Sequence, residues 1–240
     1  MQTYAQMTWD DPNALKRWVQ RRRLKDALAQ VTAKFPVDNI VDYGAGDGAL
    51  AALAHQRWPN ARITCFEPAP HLAAEAEARL RDLPNIGVTR FEHGIPGEAD
   101  VVFCTEVFEH LPETETLAAL DRIEALLKPG GLLVVGVPVE VGPVAGLKGL
   151  FRMLRRPDDF DTRPGHIWKA MLGGAFDYRP MAEISQGRRY HPHHLGFDHR
   201  RLRRQLAARF TPVGTRGSPL RLAPVILNSE AYMTLRKEPR

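Results

Sequence analysis

Cysteine is scarce: among 240 residues only Cys65 and Cys104 occur, each inside an apolar run. That excludes a disulfide framework and leads us to expect two buried thiols in a reducing, cytoplasmic setting. No apolar run approaches the roughly 18–20 residues that a membrane-spanning helix needs. Residues Met1 to Pro12 lack the basic-then-apolar order of a signal peptide, which agrees with a cytoplasmic location. Internal repeats and low-complexity tracts are also missing, so solenoid and fibrous architectures are excluded. At this length the expectation is one domain with an elaboration.

Charge of one sign is scarce too, but only locally. Residues 1–140 hold 14 Lys/Arg against 20 Asp/Glu, whereas residues 141–240 hold 19 against 8, giving +5 overall. The basic C-terminal part points to an anionic partner, or to a solvated Arg-rich surface.

What is present is alternation. A helical period covers residues 13–34, with Asp11 or Asn13 as cap and Pro36 beyond its end. Short apolar strands follow at Ile40–Asp42, Arg62–Phe66, Ile86–Phe91, Asp100–Cys104 and Leu132–Val137. Helices lie between them at Ala49–Arg57, His71–Leu83 and Glu113–Leu127, the last closed by a Lys128-Pro129-Gly130-Gly131 turn. Continuous apolar strands alternating with helices imply a parallel sheet covered on both faces. Residues 139–197 break this rhythm and read as an insertion over the sheet, where specificity resides. A helix at His199–Arg209 and strands at Phe210–Thr215 and Val225–Leu235 close the chain as an antiparallel hairpin.

The sharpest motif is Asp42-Tyr43-Gly44-Ala45-Gly46-Asp47-Gly48, where the first strand meets its helix. Glycines there let the backbone approach a ligand. The G-x-G-x-G spacing differs from the dinucleotide fingerprint, and Asp42 suits a ligand ammonium group rather than a pyrophosphate. Glu67-Pro68 ends the second strand in register to accept hydrogen bonds from ribose hydroxyls.

On these residues the chain resembles the class I S-adenosylmethionine (SAM)-dependent methyltransferases, in particular the ubiquinone-pathway O-methyltransferase and type 11-12 group. Asp42, Gly44, Gly46 and Gly48 match that family's first motif, Glu67 its ribose acid, and Thr105 to Pro112 the segment after the fourth strand. The resemblance implies a Rossmann-like, seven-stranded, mostly parallel sheet with a reversed last strand. It implies SAM at Asp42, Tyr43, Gly44, Ala45, Gly46, Gly48, Glu67, Pro68, Thr105 and Glu106. Glu92 or the backbone beside His93 stands where the family's adenine-binding acid would be. The expected division is an N-terminal helical segment 1–36, a SAM-binding core 37–138, a substrate insertion 139–197 and a terminal unit 198–240.

Methyl transfer needs alignment, exclusion of water and, for a hydroxyl acceptor, a base. Glu106, Glu109 and His110 follow the fourth strand at the ligand crevice, so Glu106, His110 and a histidine of the His191-Pro192-His193-His194 run are the catalytic candidates. The E-x-x-E-H spacing of Glu106, Glu109 and His110 resembles the metal-binding segment of ubiquinone-pathway and small-RNA terminal O-methyltransferases. His194 or His193 would be the fourth ligand of a divalent ion. The alternative is a metal-free site in which His110 or His194 is the base.

In the insertion, Leu147, Leu150, Phe151 and Leu154 share one helical face within residues 146–156, flanked by basic residues. This is the pattern of an interfacial helix on anionic membrane, or of a packed lid helix. Trp168, Phe176 and Tyr178 are candidates for an aromatic acceptor pocket or the insertion's own core. Arg200-Arg201-Leu202-Arg203-Arg204 has no aromatic platform, so nucleic acid is not the expected partner. The expected activity is methylation of a small molecule, at a hydroxyl oxygen. RNA 2′-O-methylation with a divalent metal, and a non-catalytic SAM-binding module, are the alternatives.

Overall fold

The computed structural model describes residues 14–155, 159–174, 176, 178–185 and 187–239. The expected caps Asp11 and Asn13 lie outside them. The core follows the sequence: α1 (Ala14–Leu28), β1 (Asn39–Tyr43), α2 (Ala49–Arg57), β2 (Arg62–Phe66), α3 (Pro70–Leu80), β3 (Ile86–Thr89), β4 (Ala99–Thr105), α4 (Glu113–Leu126) and β5 (Leu127–Pro138). The insertion folds into α5 (Pro143–Arg155), α6 (Pro164–Met171) and a hairpin of β6 (Ala182–Ser185) and β7 (Arg188–Tyr190). The chain ends with α7 (His199–Ala207), β8 (Thr211–Ser218) and β9 (Glu230–Arg236).

The main sheet has seven strands in the order β3-β2-β1-β4-β5-β9-β8. Strands β1 to β5 pair in parallel, while β9 runs antiparallel to both β5 and β8. Alternate residues of β4 serve opposite faces, as strand geometry requires. Val102 and Cys104 pack with Leu120, Ile123, Leu202 and Leu206 of α4 and α7. Val101 and Phe103 pack with Leu28, Leu50, Ala76 and Leu80 of α1, α2 and α3. Each fully buried Leu, Ile or Phe is worth about 1.5–3 kcal/mol, so these stripes hold the helices. Strand order reverses between β1 and β4, which places a ligand crevice outside their carboxyl ends.

Several boundaries differ from the sequence expectation. Helix α1 stops at Leu28 rather than residue 34: the next turn tightens, Val31 N donating to Leu28 O, and Arg57 takes the Val31 carbonyl at 2.6 Å. Lys128 to Gly131 do not merely close a helix. They belong to β5, with a register shift opposite Ala99–Val101 and Gly130 at φ +80°. The last strand starts at Glu230, not Val225, because residues 225–227 form a short helical turn.

Candidate active site

Strand β1 is central, so Asp42 is carried into the interior with 2% exposure. The loop after it is built by close approach. Gly44 has φ +83°, and a Cβ there would lie 2.3 Å from Val107 Cγ2, so only glycine fits. Gly44 and Ala45 N–H groups donate to Phe66 O at 2.8 and 2.9 Å, joining the loop to the end of β2. Glu67 completes the join: its two carboxylate oxygens accept from Gly46 N and Ala69 N, each at 2.9 Å. At Gly46, by contrast, a Cβ would meet nothing within 4 Å, so that side of the loop is open.

Asp42 is the unsatisfied group of this region. Its Oδ2 is buried without a hydrogen-bond partner. Burial, and then the neighbouring charges of Glu67 and Asp47, push it up to about 7. Asp47 is already committed: Arg79 Nη2 donates to its Oδ2 at 2.7 Å, and Ala49 N caps its Oδ1 at 3.2 Å. A buried carboxylate lacking a partner costs free energy that a cationic ligand group would recover.

The loop opens on a cavity of about 470 Å³. One wall is Asp42, Gly44–Asp47, Glu67 and Pro68; the other includes Thr105, Glu106, His110 and the insertion's Arg188–Tyr190. Two residues expected at the cofactor stand behind this wall. Tyr43 packs its ring on Phe66 at 4.8 Å and donates its hydroxyl to Glu92 at 3.0 Å. Gly48 opens α2, and a Cβ there would strike Leu80 Cδ1 at 2.8 Å, so its role is packing α2 on α3. Glu92, the expected adenine neighbour, is likewise engaged, taking Arg188 Nη2 at 3.2 Å as well as Tyr43.

At the far end lie three carboxylates, Glu109 and Glu230 buried and Glu106 half-buried on the cavity wall. Glu106 adopts φ +57°, uncommon for a residue other than glycine, and its N–H donates to Gly136 O at 2.8 Å. Burial raises Glu106, but Arg23 Nη1 at 3.4 Å and the hydrogen bond with Glu230 prevail and hold it down to about 2. Glu230, itself in contact with Arg23 Nη2, is driven well up by burial and keeps the shared proton. Glu109 has 0% exposure and both oxygens lack partners; burial and the charge of Glu106 push it well above the usual range.

His110 sits beside them. Its Nδ1 lies 2.7 Å from His191 O. A carbonyl only accepts, so Nδ1 carries the hydrogen and Nε2 keeps the lone pair. That Nε2 faces His194 Nε2 at 3.3 Å and Glu109 Oε1 at 4.0 Å. Burial lowers both histidines, His194 to about 4, so both are neutral near pH 7. One ligand atom each of Glu109, His110 and His194 lies within 4.8 Å of the others, the geometry of a partial metal site. Glu106, expected with them, is turned away to Arg23 and Glu230. His193, the other candidate fourth ligand, faces Asp159 and Asp161 at 3.4 and 3.7 Å instead.

The insertion is stitched to this end. Arg179 Nη2 donates to Glu109 O and His193 O, both at 2.7 Å, and the His191 N–H to His110 O at 2.7 Å. Tyr190 stands 6.3 Å from the His110 ring. The expected aromatic acceptor pocket does not form: Trp168 and Tyr178 are exposed, and Phe176 packs on Phe160 and His166 inside the insertion. In the basic run of α7, Arg200 pairs with Asp198 and Arg201 with Glu113, while Leu202 is buried. These arginines form a solvated helix face. Arg23, Glu230, Arg179 and Arg188 were not legible as site residues: Arg23 meets Glu230 across 207 positions, Arg188 meets Glu92 across 96 and Arg179 meets Glu109 across 70.

Comparison with known proteins finds methyltransferases. Residues 41–133 match the methyltransferase domain family. A trans-aconitate 2-methyltransferase from Azoarcus sp. (strain BH72) is 30% identical over 177 residues, 72% of this chain and 63% of that protein. The Rhodopseudomonas palustris (strain BisB18) enzyme of that name is 33% identical over 54% of this chain and 50% of its own length. The chain thus spans between half and under two thirds of these relatives. Among solved structures, the magnesium protoporphyrin IX methyltransferase of Synechocystis PCC 6803 with bound SAH has a TM-score of 0.59 at 16% identity, covering 97% of this chain and 92% of that one. The 1,6-didemethyltoxoflavin-N1-methyltransferase of Burkholderia thailandensis has 0.57 at 19%, covering 97% and 85%. At these identities the structures establish the fold.

Proposed function

We propose that this chain, a class I SAM-dependent methyltransferase domain, binds SAM in the 470 Å³ cavity and transfers its methyl group to an oxygen of a small anionic molecule. The observation that carries the reading is the orphaned Asp42 Oδ2 on the wall of the cavity that His110 also lines. The residues fit the cofactor. Asp42 would pair with its ammonium group, the open side of Gly46 leaves room for it, and each Glu67 oxygen keeps a lone pair that a ribose hydroxyl would use. When bound, SAM would supply an electrophilic methyl to an in-line nucleophile, its sulfur leaving as the thioether of S-adenosylhomocysteine.

The chain's own residues then hold the acceptor and manage its proton. Arg188 and Arg189 on the hairpin line the cavity and favour an anion. The relatives are named for trans-aconitate, a carboxylate, which supports a carboxylate oxygen as the nucleophile. Such an oxygen is already ionised at neutral pH and needs only alignment and exclusion of water. His110 supports a second reading, a hydroxyl acceptor: its lone-paired Nε2 takes the proton, and the His191 carbonyl together with ionised Glu106 stabilises the resulting cation. A divalent ion on Glu109, His110 and His194 would serve that reading by acidifying the hydroxyl.

The experiment is calorimetric titration of SAM, followed by incubation with methyl-labelled SAM and trans-aconitate, a catechol or a short RNA. SAM binding with label in the carboxylate is the expected result. Label in the catechol alone moves the acceptor to a hydroxyl, and label in the RNA restores the nucleic-acid alternative. SAM binding with no product from any pool makes the domain a sensor. Failure of SAM to bind overturns the proposal.

A further inference from the structure

Helix α5 is amphipathic in the wrong direction for a packed lid helix. Its cations Lys148 and Arg152 point inward. Lys148 Nζ donates to Glu140 Oε1 at 3.0 Å, and to Val139 O and Ser229 O at 3.2 and 3.0 Å. Arg152 Nη2 donates to both oxygens of Glu140 at 2.9 Å, and Glu140 has 0% exposure. A second side of the helix is occupied by α6. A Cβ at Gly146 would lie 2.4 Å from Met171 Sδ, and one at Gly149 2.7 Å from Ile167 Cγ1, so the two helices pack along this glycine stripe.

The third side is apolar and faces water: Leu147 is 58% exposed, Leu150 55%, Phe151 62% and Leu154 77%. The ion pairs beneath and α6 beside it prevent α5 from rolling to bury this face. Beside it, Trp168 of α6 and Leu172 just after α6 are 61% and 81% exposed. A contiguous run of large exposed side chains on one element marks a surface with a partner.

Charge identifies the partner. Neither α5 nor α6 contains an Asp or Glu. Of the neighbouring carboxylates, Glu140 and Asp161 are buried and Asp159, half-exposed, faces His193, while Arg163 and Lys169 are exposed. In sequence, Arg155 and Arg156 follow the apolar face directly, and residues 141–240 carry a surplus of 11 positive charges, 19 Lys/Arg less 8 Asp/Glu. We propose that this face docks on an anionic lipid surface, with α5 lying in the interfacial plane and its apolar side chains among the acyl chains. The basic residues expected to flank the apolar face are therefore not all lipid contacts: Lys148 and Arg152 anchor the helix from below.

The test is flotation of the full chain with vesicles of phosphatidylcholine alone and of phosphatidylcholine with one quarter phosphatidylglycerol. Binding to the anionic vesicles should exceed binding to the neutral ones by about tenfold and fall with added salt. A Phe151→Glu/Leu154→Glu variant should lose about tenfold of that binding, and Lys169→Glu should weaken it, while Leu222→Glu, at an exposed leucine on another loop, should not. Unchanged thermal midpoints establish that the variants fold. The proposal is overturned if the parent chain stays unbound, or if Leu222→Glu loses as much. It is equally overturned if light scattering shows a dimer that Phe151→Glu/Leu154→Glu dissociates, with no lipid binding by the parent; the face would then cover a second copy.

Discussion

His110 and His191 hold each other through the backbone of the insertion: His110 Nδ1 meets His191 O at 2.7 Å, and His191 N donates to His110 O at 2.7 Å. Their separation of 81 positions in sequence makes this a tertiary lock on one tautomer. For a hydroxyl acceptor, His110→Gln should lower kcat by about 10²–10⁴-fold. His191→Ala keeps the backbone groups and should leave kcat close to that of the parent. Because burial lowers His110, the acid limb of the parent's pH–rate profile should lie below 6.5. With a carboxylate acceptor, His110→Gln should leave that limb in place, which makes the profile the deciding measurement.

SAM affinity should depend on pH through Asp42. With its carboxyl raised to about 7, Asp42 is largely protonated in the free protein under mildly acidic conditions. An ammonium group requires the ionised form, so affinity should rise with pH, by up to about tenfold per unit below the midpoint, and level off above it. The sign for stability is opposite. The raised carboxyl contributes stability at low pH that is lost as pH rises through about 7. Calorimetry across pH on the parent and on Asp42→Asn checks both; a variant that retains the pH dependence removes Asp42 from the cofactor.

Glu67 holds the loop, and under the proposed function it also takes the ribose. Glu67→Ala removes the acceptors of Gly46 N and Ala69 N and should weaken SAM binding by about 10–100-fold. Glu67→Gln replaces one acceptor oxygen by a donor that faces a backbone N–H, so it should lose nearly as much. Unchanged affinity in either variant refutes the ribose assignment.

Metal binding is read by titrating Zn²⁺ or Mg²⁺ without SAM. If Glu109, His110 and His194 form a site, Glu109→Ala and His194→Ala should each cost about tenfold or more in affinity. Heat that persists in both variants places the ion elsewhere, and no heat in the parent leaves the histidine pair metal-free.

Gly44→Ala should destabilise the fold by about 2 kcal/mol or more, since it adds strain at φ +83° to a 2.3 Å clash with Val107. Val107→Ala in the same chain should recover part of the loss, because only the steric share is relieved. Thermal denaturation of the three variants measures that coupling.

Part of this protein is written locally. The glycine loop, Asp42 and Glu67 were legible because a strand, a tight turn and a helix follow one another within one βαβ unit, where spacing alone fixes geometry. The parallel core was legible for a related reason: strands buried on both faces are continuous apolar runs. Glu109, His110 and His194 were readable as chemistry, but not their arrangement. Glu106 shares their motif and yet turns to Arg23, a residue of the first helix.

The amino-acid order thus specifies the sheet, the glycine loop and the identity of the acids and histidines beyond it, since each depends on contacts among near neighbours. Assembly in three dimensions specifies which groups are ionised, which histidine nitrogen is free and which side of α5 meets solvent. Those properties follow from burial and from charges brought together across 81 to 207 residues, such as His191 on His110 and Arg23 on Glu230. Desolvation and Coulomb interaction act through space, and no pattern along the chain records them.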